Sequence, residues 1–364
     1  MLYDTMDTIL KRVGDHARRL ALHLGVSAEE AVAQAIDDLS ANEPVASEQE
    51  LASQIQAALS GFGALEKFMD DPEVEEFWMN EPNVIFVHKR GEVERIEIEF
   101  NAEQQGVVID RMLRSIGRRV DRSTPFVDAP LPDGSRLHVV IPDITRRNLS
   151  FNLRRFTARR ASLEDLVEAQ VATAKQANAL RSALANRETI FVSGATAAGK
   201  TTLLCALLDA LPMKERIVSV EDTFEISIAN PDWVAMQTRP ASVEGSGEID
   251  LRRLIREALR MRPDRLVVGE VRGAEALELL VSLNSGIPGL CTVHANSAEH
   301  AFTKLLTLPL LSGSTVPLEF VKQVLGSTVG LVAHCVQDSN GFRRIGELKR
   351  VLLQAGELRF ENAA

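Results

Sequence analysis

The segment FVSGATAAGKTT, residues 191–202, has the residue types and spacing of a phosphate-binding loop. Gly194, Gly199, Lys200 and Thr201 fit the pattern G-x-x-x-x-G-K-[ST] between an apolar strand-like run and a helix-like run. In such a loop, backbone N–H groups and the helix N-terminus attract phosphates, while the lysine and the threonine serve the terminal phosphates and Mg²⁺. The pattern predicts a site for ATP and Mg²⁺ formed by Gly194, Ala195, Thr196, Ala197, Ala198, Gly199, Lys200, Thr201 and Thr202.

Three alanines, at positions 195, 197 and 198, stand in this loop where small flexible glycines are common. If Ala197 has to adopt a positive φ, it is strained by roughly 1 kcal/mol, and otherwise it only stiffens the loop. Alanine keeps the backbone N–H groups that bind phosphate, and Lys200 and Thr201 are present. We therefore expect a working nucleotide site. The alternative is a strand-to-helix turn that binds no ligand.

Acidic residues follow two other strand-like runs. RIVSVEDTFEI supplies Glu221, Asp222 and Glu225, and RLVVGEVRG supplies Glu270. ATP hydrolysis needs acidic groups for Mg²⁺ and for the attacking water. We interpret Glu221 as a magnesium ligand on this basis. Taken singly, each of these residues could equally be a surface acid beyond a strand end, and their order after the phosphate loop favours the functional interpretation.

The second half of the chain alternates strand-like and helix-like runs. Strands are predicted at 189–193, 216–221, 234–238, 265–269 and 290–294. Helices are predicted at 200–210, 250–261, 274–285 and 297–307. This alternation is typical of an α/β fold with a parallel sheet flanked by helices, in which the carboxyl ends of the strands line the ligand crevice.

Four regions are predicted along the chain: a helical region at 1–59, an α+β domain at 60–155, a linker at 156–164 and a nucleotide-binding domain at 165–364. Two capping-box patterns, Ser27 with Glu30 and Ser47 with Glu50, favour helices in the first region. The second region is predicted to contain strands on both sides of a turn at Arg90-Gly91, a helix near 103–119 and a turn at 132–134.

Composition limits the classes of partner. The formal net charge of -10 disfavours nucleic acid as the main partner. The three cysteines, Cys205, Cys291 and Cys335, form no CxxC pair, so a zinc site or a disulfide framework is not indicated and a reducing cytosol fits. No apolar run approaches the roughly 18 residues of a membrane span, and no signal peptide is recognised. We expect a cytoplasmic protein whose membrane contact is peripheral and made through a partner.

The motifs together resemble one family. GATAAGKTT, VEDTFEI, ALRMRPDRLVVGEVRGAEAL and CTVHANS are similar to motifs of the motor ATPases of type II and type IV secretion and pilus systems. LPDGSRLHVVIPDI and FNLRRF resemble the N-terminal domain of the CpaF/TadA-like ATPases of tight-adherence (Tad/Flp) pili, which is the nearest branch. The resemblance covers roughly residues 60–335. It implies a RecA-like P-loop NTPase domain that hydrolyses ATP.

The resemblance also implies roles for single residues. Glu225 would be the general base that orients water, Glu270 would hold Mg²⁺ through water, and Lys200 would act on the phosphates. His294 would sense the γ-phosphate or link it to a subunit interface. Taken alone, a histidine at the end of an apolar strand is more often simply hydrogen-bonded. Ile287 stands where many relatives carry a second histidine, so a contact of that histidine is absent or replaced.

Arginines are the least determined candidates. Arg252, Arg253 and Arg256 in the predicted helix 250–261 form either a solvated basic face or a functional one. By the resemblance, five further arginines would reach the nucleotide or a subunit interface, some of them from a neighbouring subunit or domain: Arg154, Arg155, Arg239, Arg260 and Arg272. A planar guanidinium suits the charge that develops on a transferred phosphoryl group.

The function implied by the resemblance is that of a homohexameric motor. It would couple ATP hydrolysis to pilus assembly or retraction, or to protein secretion, through a polytopic inner-membrane platform protein. One alternative is a conjugation or type IV secretion ATPase that moves protein or DNA. The other, from a different class, is an ATP-binding scaffold with little turnover. Glu225 together with Glu270 favours turnover, because a switch needs no base.

Overall fold

The computed structural model describes residues 62–89, 91–155, 160–241, 246–312, 316–354 and 356–364, together with the single positions His16, Gln34, Ala35 and Asp38. Two compact units divide the chain, Met1–Thr157 and Ala158–Ala364. Both capping-box patterns of the predicted helical region, Arg90 of the predicted turn and positions 156–159 of the predicted linker lie outside the described residues.

The first unit contains a six-stranded antiparallel sheet. Its strands are β1 (Val74–Glu81), β2 (Val84–Lys89), β3 (Glu92–Glu97), β4 (Phe126–Pro130), β5 (Arg136–Val140) and β6 (Ser150–Arg154). Their order across the sheet is β3-β2-β1-β6-β5-β4. Alternate residues, among them Phe77, Ile85 and Phe151, are buried in one core with residues of α1 (Glu66–Asp70) and α2 (Ala102–Ser115). One face of the sheet therefore packs on helices, as is common for antiparallel sheets.

Helix α2 is shorter than the sequence predicts. It begins after Asn101, whose side chain accepts a hydrogen bond from the Gln104 N–H, while the Gln104 side chain accepts one from the Asn101 N–H. This capping box satisfies two N–H groups that the helix leaves unpaired. Gly117 has a φ of 66°, and a left-handed residue cannot continue an α-helix. The helix therefore ends before it, at Ser115.

The second unit contains an eight-stranded, mainly parallel sheet. Its strands are β7 (Thr189–Gly194), β8 (Ile217–Glu221), β9 (Trp233–Gln237), β10 (Arg265–Val271), β11 (Gly289–His294), β12 (Val329–Gln337), β13 (Arg343–Gln354) and β14 (Glu357–Asn362). Their order is β14-β13-β12-β7-β11-β10-β8-β9, with parallel pairing from β12 to β9 and antiparallel pairing at β13 and β14. The predicted α/β fold is confirmed.

Helices cover both faces of this sheet. The helices are α3 (Leu163–Glu168), α4 (Ala174–Ala185), α5 (Lys200–Asp209), α6 (Leu251–Ala258), α7 (Glu275–Asn284), α8 (Ala298–Thr307) and α9 (Leu318–Thr328). Residues of α3, α4 and α5 share one core with Ile190 and Val192, and residues of α6 to α9 share the other with Phe191. Alternate residues of β7 thus face opposite layers, which is why the strand is apolar at nearly every position.

Two boundaries differ from the predicted ones. Helix α3 begins at Leu163, inside the predicted linker 156–164, because the Ser162 side chain accepts a hydrogen bond from the Asp165 N–H and caps the helix. The predicted helix 250–261 is α6 followed by a 3-10 turn, Leu259–Met261, rather than one continuous helix. The turn ends at Arg262, whose φ of 55° is left-handed.

The described part of the chain contains neither a disulfide bond nor a helix long and apolar enough to span a membrane. The three cysteines are free and buried, and burial raises the pKa of Cys205 to about 11 and that of Cys291 to about 12. Such thiols are poor nucleophiles because little thiolate is present near neutral pH. No described helix combines the length and the apolarity needed to cross a bilayer.

Candidate functional site

The phosphate loop joins β7 to α5 between Gly194 and Lys200. Gly194 has a φ of 152°, and a side chain there would place its Cβ 2.5 Å from the carbonyl oxygen of Cys335 in β12. Gly199 precedes α5 with a φ of 90°. The backbone conformation therefore favours glycine at both positions. At Gly194 a side chain would also collide with the neighbouring strand β12.

Lys200 lies folded over the loop that precedes it. Its Nζ donates to the carbonyl oxygen of Ala195 at 2.8 Å and to Nδ1 of His294 at 3.3 Å. The residue is buried, although its ammonium group carries a charge. The two acceptors are uncharged, so phosphate oxygens would compete well for the same ammonium group.

Ala197 adopts a φ of 61°, the left-handed conformation that favours glycine. Of the two alternatives that the sequence leaves open, the strained one is present. The neighbouring residues of the loop have no comparable strain. Ala195, Thr196 and Ala198 do not have a positive φ, and Gly199 adopts its positive φ without a side chain. The loop therefore keeps its shape at the expense of one unfavourable alanine.

Replacing Ala197 with glycine is expected to raise the free energy of unfolding by about 0.5–1 kcal/mol, because relief of strain exceeds the added freedom of the unfolded chain. Urea denaturation measures the change. Ala198→Gly is the matched control, since Ala198 is buried without a positive φ, and glycine there should lower the free energy by about 1 kcal/mol. A loss of stability in Ala197→Gly would contradict the strained conformation.

The acidic segments reach the loop at the carboxyl ends of the strands. Thr201 Oγ1 in the first turn of α5 donates to Oε2 of Glu225 at 3.2 Å. Glu270 lies near the end of β10, which pairs with β8 on one side and β11 on the other. The structure thus brings Thr201 and Glu225 into contact, and places Glu270 on the strand between Glu221 and His294.

His294 ends β11 between a cation and an anion. Lys200 Nζ contacts its Nδ1, and its Nε2 lies 2.9 Å from Oε1 of Glu270. The ammonium group can only donate, so Nδ1 is the acceptor and the ring hydrogen of the neutral form is on Nε2. Burial and the nearby Lys200 lower the pKa of His294, which favours this neutral form. Lys304 Nζ also donates to the His294 carbonyl oxygen at 3.1 Å.

Glu270 is held in its ionised form. Burial opposes this, but a hydrogen bond from Arg272 Nη2 at 2.7 Å and the positive charges of Arg272 and Lys200 lower the pKa of Glu270 overall. An ionised carboxylate is the form that attracts a hydrated Mg²⁺. Among the predicted site residues, Lys200, His294, Glu270 and Arg272 therefore form one continuous chain of contacts.

Glu221 is not part of this series of contacts. It is buried, and its Oε2 accepts hydrogen bonds from the N–H groups of Glu225 at 2.7 Å and Ile226 at 2.9 Å. That oxygen is engaged with backbone, which differs from the magnesium ligand expected from the sequence. Burial raises the pKa of Glu221 to about 7, although the two N–H groups oppose this shift.

Glu221→Gln is expected to flatten the pH dependence of stability. In the folded protein the pKa of Glu221, about 7, exceeds the ordinary value of 4.5, so the folded state holds an extra proton between these values. The resulting stability is fully present below the ordinary pKa and is lost as pH rises through about 7, by on the order of 3 kcal/mol. Urea denaturation at several pH values measures the slope. An unchanged slope in Glu221→Gln would refute the assignment.

The other predicted arginines are engaged elsewhere in the described residues. Arg239 Nε donates to the Gly247 carbonyl oxygen at 2.9 Å. Arg260 is exposed and binds Glu257 at 2.9 Å. In the first unit, Arg155 donates to the carbonyl oxygens of Phe68 and Asp71, and Arg154 is exposed on β6. Their predicted contacts with a nucleotide stay predictions.

Helix α6 is less basic at its surface than its sequence indicates. Arg252 Nη2 and Arg256 Nη2 both donate to Oε1 of Glu278 in α7, at 2.7 Å and 2.6 Å. Arg265, at the start of β10, is completely buried and donates to Glu215 Oε2 at 2.8 Å and to the Leu184 carbonyl oxygen at 2.6 Å. These arginines join helices and strands. Of the predicted solvated face, Arg253 and Arg256 are exposed and Arg252 is half-buried.

Some residues of the site carry no sequence signal of their own. A depression beside the phosphate loop is lined by Ala195, Thr196, His294, Asn296, His300 and Lys304. His300 and Lys304 lie one turn apart on α8, so a helical reading of 297–307 could have placed them on one face. Nothing in the sequence indicated that this face adjoins the loop. Ile287 packs partly buried against the core of α6 to α9.

The family model described as type II/IV secretion system protein matches residues 58–338. The chain belongs to this secretion family. A Mycobacterium tuberculosis protein named for conjugal transfer is 36% identical over 310 residues, which cover 83% of this chain and 87% of that protein. The conjugal transfer protein TrbB of Rhizobium radiobacter is 32% identical over 285 residues, covering 77% and 84%. VirB11 of the type IV secretion system of Bartonella quintana is 26% identical over 327 residues, covering 79% and 92%.

Two solved structures agree with the fold. The pilus retraction motor PilT with bound ADP has a TM-score of 0.55 and 17% identity, with 82% of each chain covered. The ATPase DotB of Legionella pneumophila has a TM-score of 0.52 and 18% identity, with 77% of each chain covered. At these identities the likeness concerns the fold alone, and it confirms the predicted RecA-like α/β architecture.

The residues of this site fit a Mg²⁺ ion that is bound together with a nucleotide. Within the described residues, no group of three or more His, Cys, Asp or Glu side chains could hold a metal ion by itself. Mg²⁺ keeps several waters and typically takes one or two protein oxygens together with substrate phosphates. Thr201 Oγ1 and the ionised Glu270 provide that number of oxygens beside the phosphate loop.

Proposed function

We propose that the chain is the ATP-hydrolysing motor of a type II/IV secretion or pilus system. The observation that carries this proposal is the convergence of Lys200, Thr201, Glu225, Glu270 and His294 at the carboxyl ends of parallel strands. A nucleotide-binding scaffold requires the loop and the lysine. It does not require a carboxylate that is hydrogen-bonded to the threonine of the loop.

Each residue has a separate task in ATP hydrolysis. Lys200 and the N–H groups of the loop would bind the β- and γ-phosphates, Thr201 would hold Mg²⁺ and Glu270 would hold it through water. When bound, Mg²⁺ neutralises charge on the phosphates. Glu225 leaves its hydrogen bond with Thr201, orients the attacking water and accepts its proton. Arg272 keeps Glu270 ionised, and neutral His294 links Glu270 to Lys200, so a change at the phosphates reaches β11.

The finer identity belongs to the same proposal. The resemblance of residues 60–335 to CpaF/TadA-like ATPases favours a tight-adherence pilus motor. Such a motor would act as a homohexamer on the cytoplasmic side of the membrane, against a polytopic platform protein. Contact with the membrane would be peripheral, and direct binding of nucleic acid is not proposed, since the net charge is -10.

A conjugation or type IV secretion ATPase is the second candidate. Two relatives at 32% and 36% identity are named for conjugal transfer, and both cover most of this chain. The two candidates share the ATPase chemistry and differ in the partner that receives the stroke. Binding to a purified pilus platform protein, compared with binding to a conjugative channel component, separates them.

Magnesium-dependent phosphate release tests the enzyme itself. Purified protein should release phosphate from ATP, and chelation of Mg²⁺ should stop the reaction while the protein remains folded. Mass measurement with a non-hydrolysable ATP analogue tests the hexamer, and a persistent monomer counts against it. ATP binding without any release of phosphate would favour the scaffold and would overturn the motor.

A further inference from the structure

Two glutamates outside the direct contacts of the site bind its backbone. Glu221, the last residue of β8, is 1% exposed. One of its oxygens, Oε2, accepts hydrogen bonds from two consecutive N–H groups, those of Glu225 at 2.7 Å and Ile226 at 2.9 Å. Hydrogen bonds from N–H groups to a carboxylate are stronger than those between neutral groups. Glu221 therefore fixes the backbone at the residue that carries the proposed base.

Glu275 makes the same pair of contacts on the other acidic segment. It is the first residue of α7 and is 9% exposed. Its Oε1 accepts from the N–H groups of Arg272 at 2.5 Å and Gly273 at 2.7 Å. These residues directly follow Glu270 and Val271 at the end of β10. A second buried glutamate thus binds the turn that places Arg272 against Glu270.

The segments that these glutamates bind lie between regular elements of secondary structure. Residues 222–232 contain neither helix nor strand, and residues 272–274 form the bend between β10 and α7. Backbone N–H groups in such segments lack the partners that a helix or a sheet supplies. Each glutamate satisfies two of them at once. Without the carboxylate, two adjacent N–H groups would lose their acceptor and the segment would gain freedom.

The two strand ends are also packed together through Glu221. A side chain at Gly269 in β10 would place its Cβ 2.9 Å from Cγ of Glu221. The stem of Glu221 therefore lies directly against the backbone that precedes Glu270. Because that contact tolerates no added methyl group, the position of the Glu221 carboxylate depends on glycine at position 269.

We propose that Glu221 and Glu275 are positioning residues for ATP hydrolysis, each fixing the backbone of a segment that carries a group of the catalytic site. This inference rests on the proposed function for the identity of the reaction. The two hydrogen bonds to Oε2 of Glu221 differ from the metal contact expected from the sequence. Glu221 sets the place of Glu225, and Glu275 sets the place of Arg272 and, through it, of Glu270.

Kinetics with matched variants form the first part of the test. Glu221→Ala and Glu275→Ala should each lower kcat about 10- to 100-fold, because a misplacement near 1 Å costs about that much. The KM for ATP should change less than about threefold, since Lys200 and the loop are untouched. Glu221→Gln and Glu275→Gln should restore most of kcat, because one amide oxygen can accept both N–H groups. Glu168→Ala, at an exposed glutamate of α3 outside the site, is the control with wild-type kcat.

Hydrogen exchange forms the second part and does not depend on turnover. In Glu221→Ala, amide exchange should rise in a peptide covering residues 222–228 and stay unchanged in the phosphate loop. In Glu275→Ala the rise should fall on residues 271–274. Gly269→Ala keeps every hydrogen-bonding group and should raise exchange at 222–228 by displacing Glu221, which gives a result even if Glu221→Ala fails to fold.

The outcomes separate the inference from the proposed function. Unchanged exchange in folded alanine variants would overturn the positioning role, whatever the enzyme does. Glutamine variants as inactive as Glu225→Gln, with wild-type exchange, would also overturn it, because the charge rather than the hydrogen bonds would then matter. A wild-type protein without phosphate release would instead overturn the motor, and the catalytic part of the inference with it, while the exchange data still decide the backbone contacts.

Discussion

Lys200→Ala is expected to weaken ATP binding and to lower phosphate release at least about 100-fold, the usual effect of removing a charged group that stabilises a transferring phosphoryl group. Lys200 is buried at the first turn of α5, and its ammonium group contacts the Ala195 carbonyl oxygen and His294 Nδ1. No other ammonium group is described at those atoms. Its loss therefore leaves the phosphates without their nearest cation.

Fluorescent ATP binding and phosphate release measure this effect. Lys175→Ala, at an exposed lysine of α4, is the matched control and should behave as wild type. A second readout is the titration of His294 by NMR. Because the charge of Lys200 helps to lower the pKa of His294, the pKa should rise in Lys200→Ala. Wild-type phosphate release in the variant would refute the assignment of the loop as the nucleotide site.

Glu225→Gln is expected to bind ATP normally and to hydrolyse it about 10²- to 10⁴-fold more slowly, the range for removing a general base. The amide oxygen can still accept the hydrogen bond from Thr201 Oγ1, and the amide N–H of residue 225 still donates to Glu221. The loop and its backbone therefore stay in place. What is lost is the ability to take a proton from water.

The separation of binding from turnover is the informative result. Single-turnover kinetics with excess enzyme measure the chemical step, and filter binding measures the affinity. Glu168→Gln is the control, because it makes the same substitution at an exposed glutamate of α3, and it should behave as wild type. If Glu225→Gln lost affinity and turnover together, the residue would support the site rather than act as its base. If it lost neither, the scaffold would become the better description.

Local rules predicted the elements of the α/β half well. The five parallel strands from β7 to β11 correspond to the predicted strands, because each is a short, mainly apolar run between loops or helices. Helix ends were less predictable. Helix α2 stops at Ser115 before the left-handed Gly117, and α6 gives way to a 3-10 turn at Leu259, four residues before Pro263. Such ends depend on cap geometry that periodicity does not contain.

The arginines show where sequence reasoning was insufficient. Arg260, Arg239 and Arg272 were interpreted alike from the resemblance, yet only Arg272 contacts an acidic residue of the site among the described residues. A long side chain can reach many partners from one backbone position. Which partner it meets depends on residues distant in the chain, such as Glu278 for Arg252 or Glu215 for Arg265.

The sequence by itself determined the phosphate loop and the order of the groups that follow it. The backbone conformation favours glycine at 194 and 199, and Lys200 and Thr201 complete the loop pattern. The βα alternation places strand ends at one edge of a parallel sheet. The tertiary structure alone decided the left-handed Ala197, the chain of contacts from Lys200 through His294 and Glu270, and the burial of Glu221 beneath Glu225. These features arise from strand order and from packing between segments far apart in the chain, which no local pattern encodes.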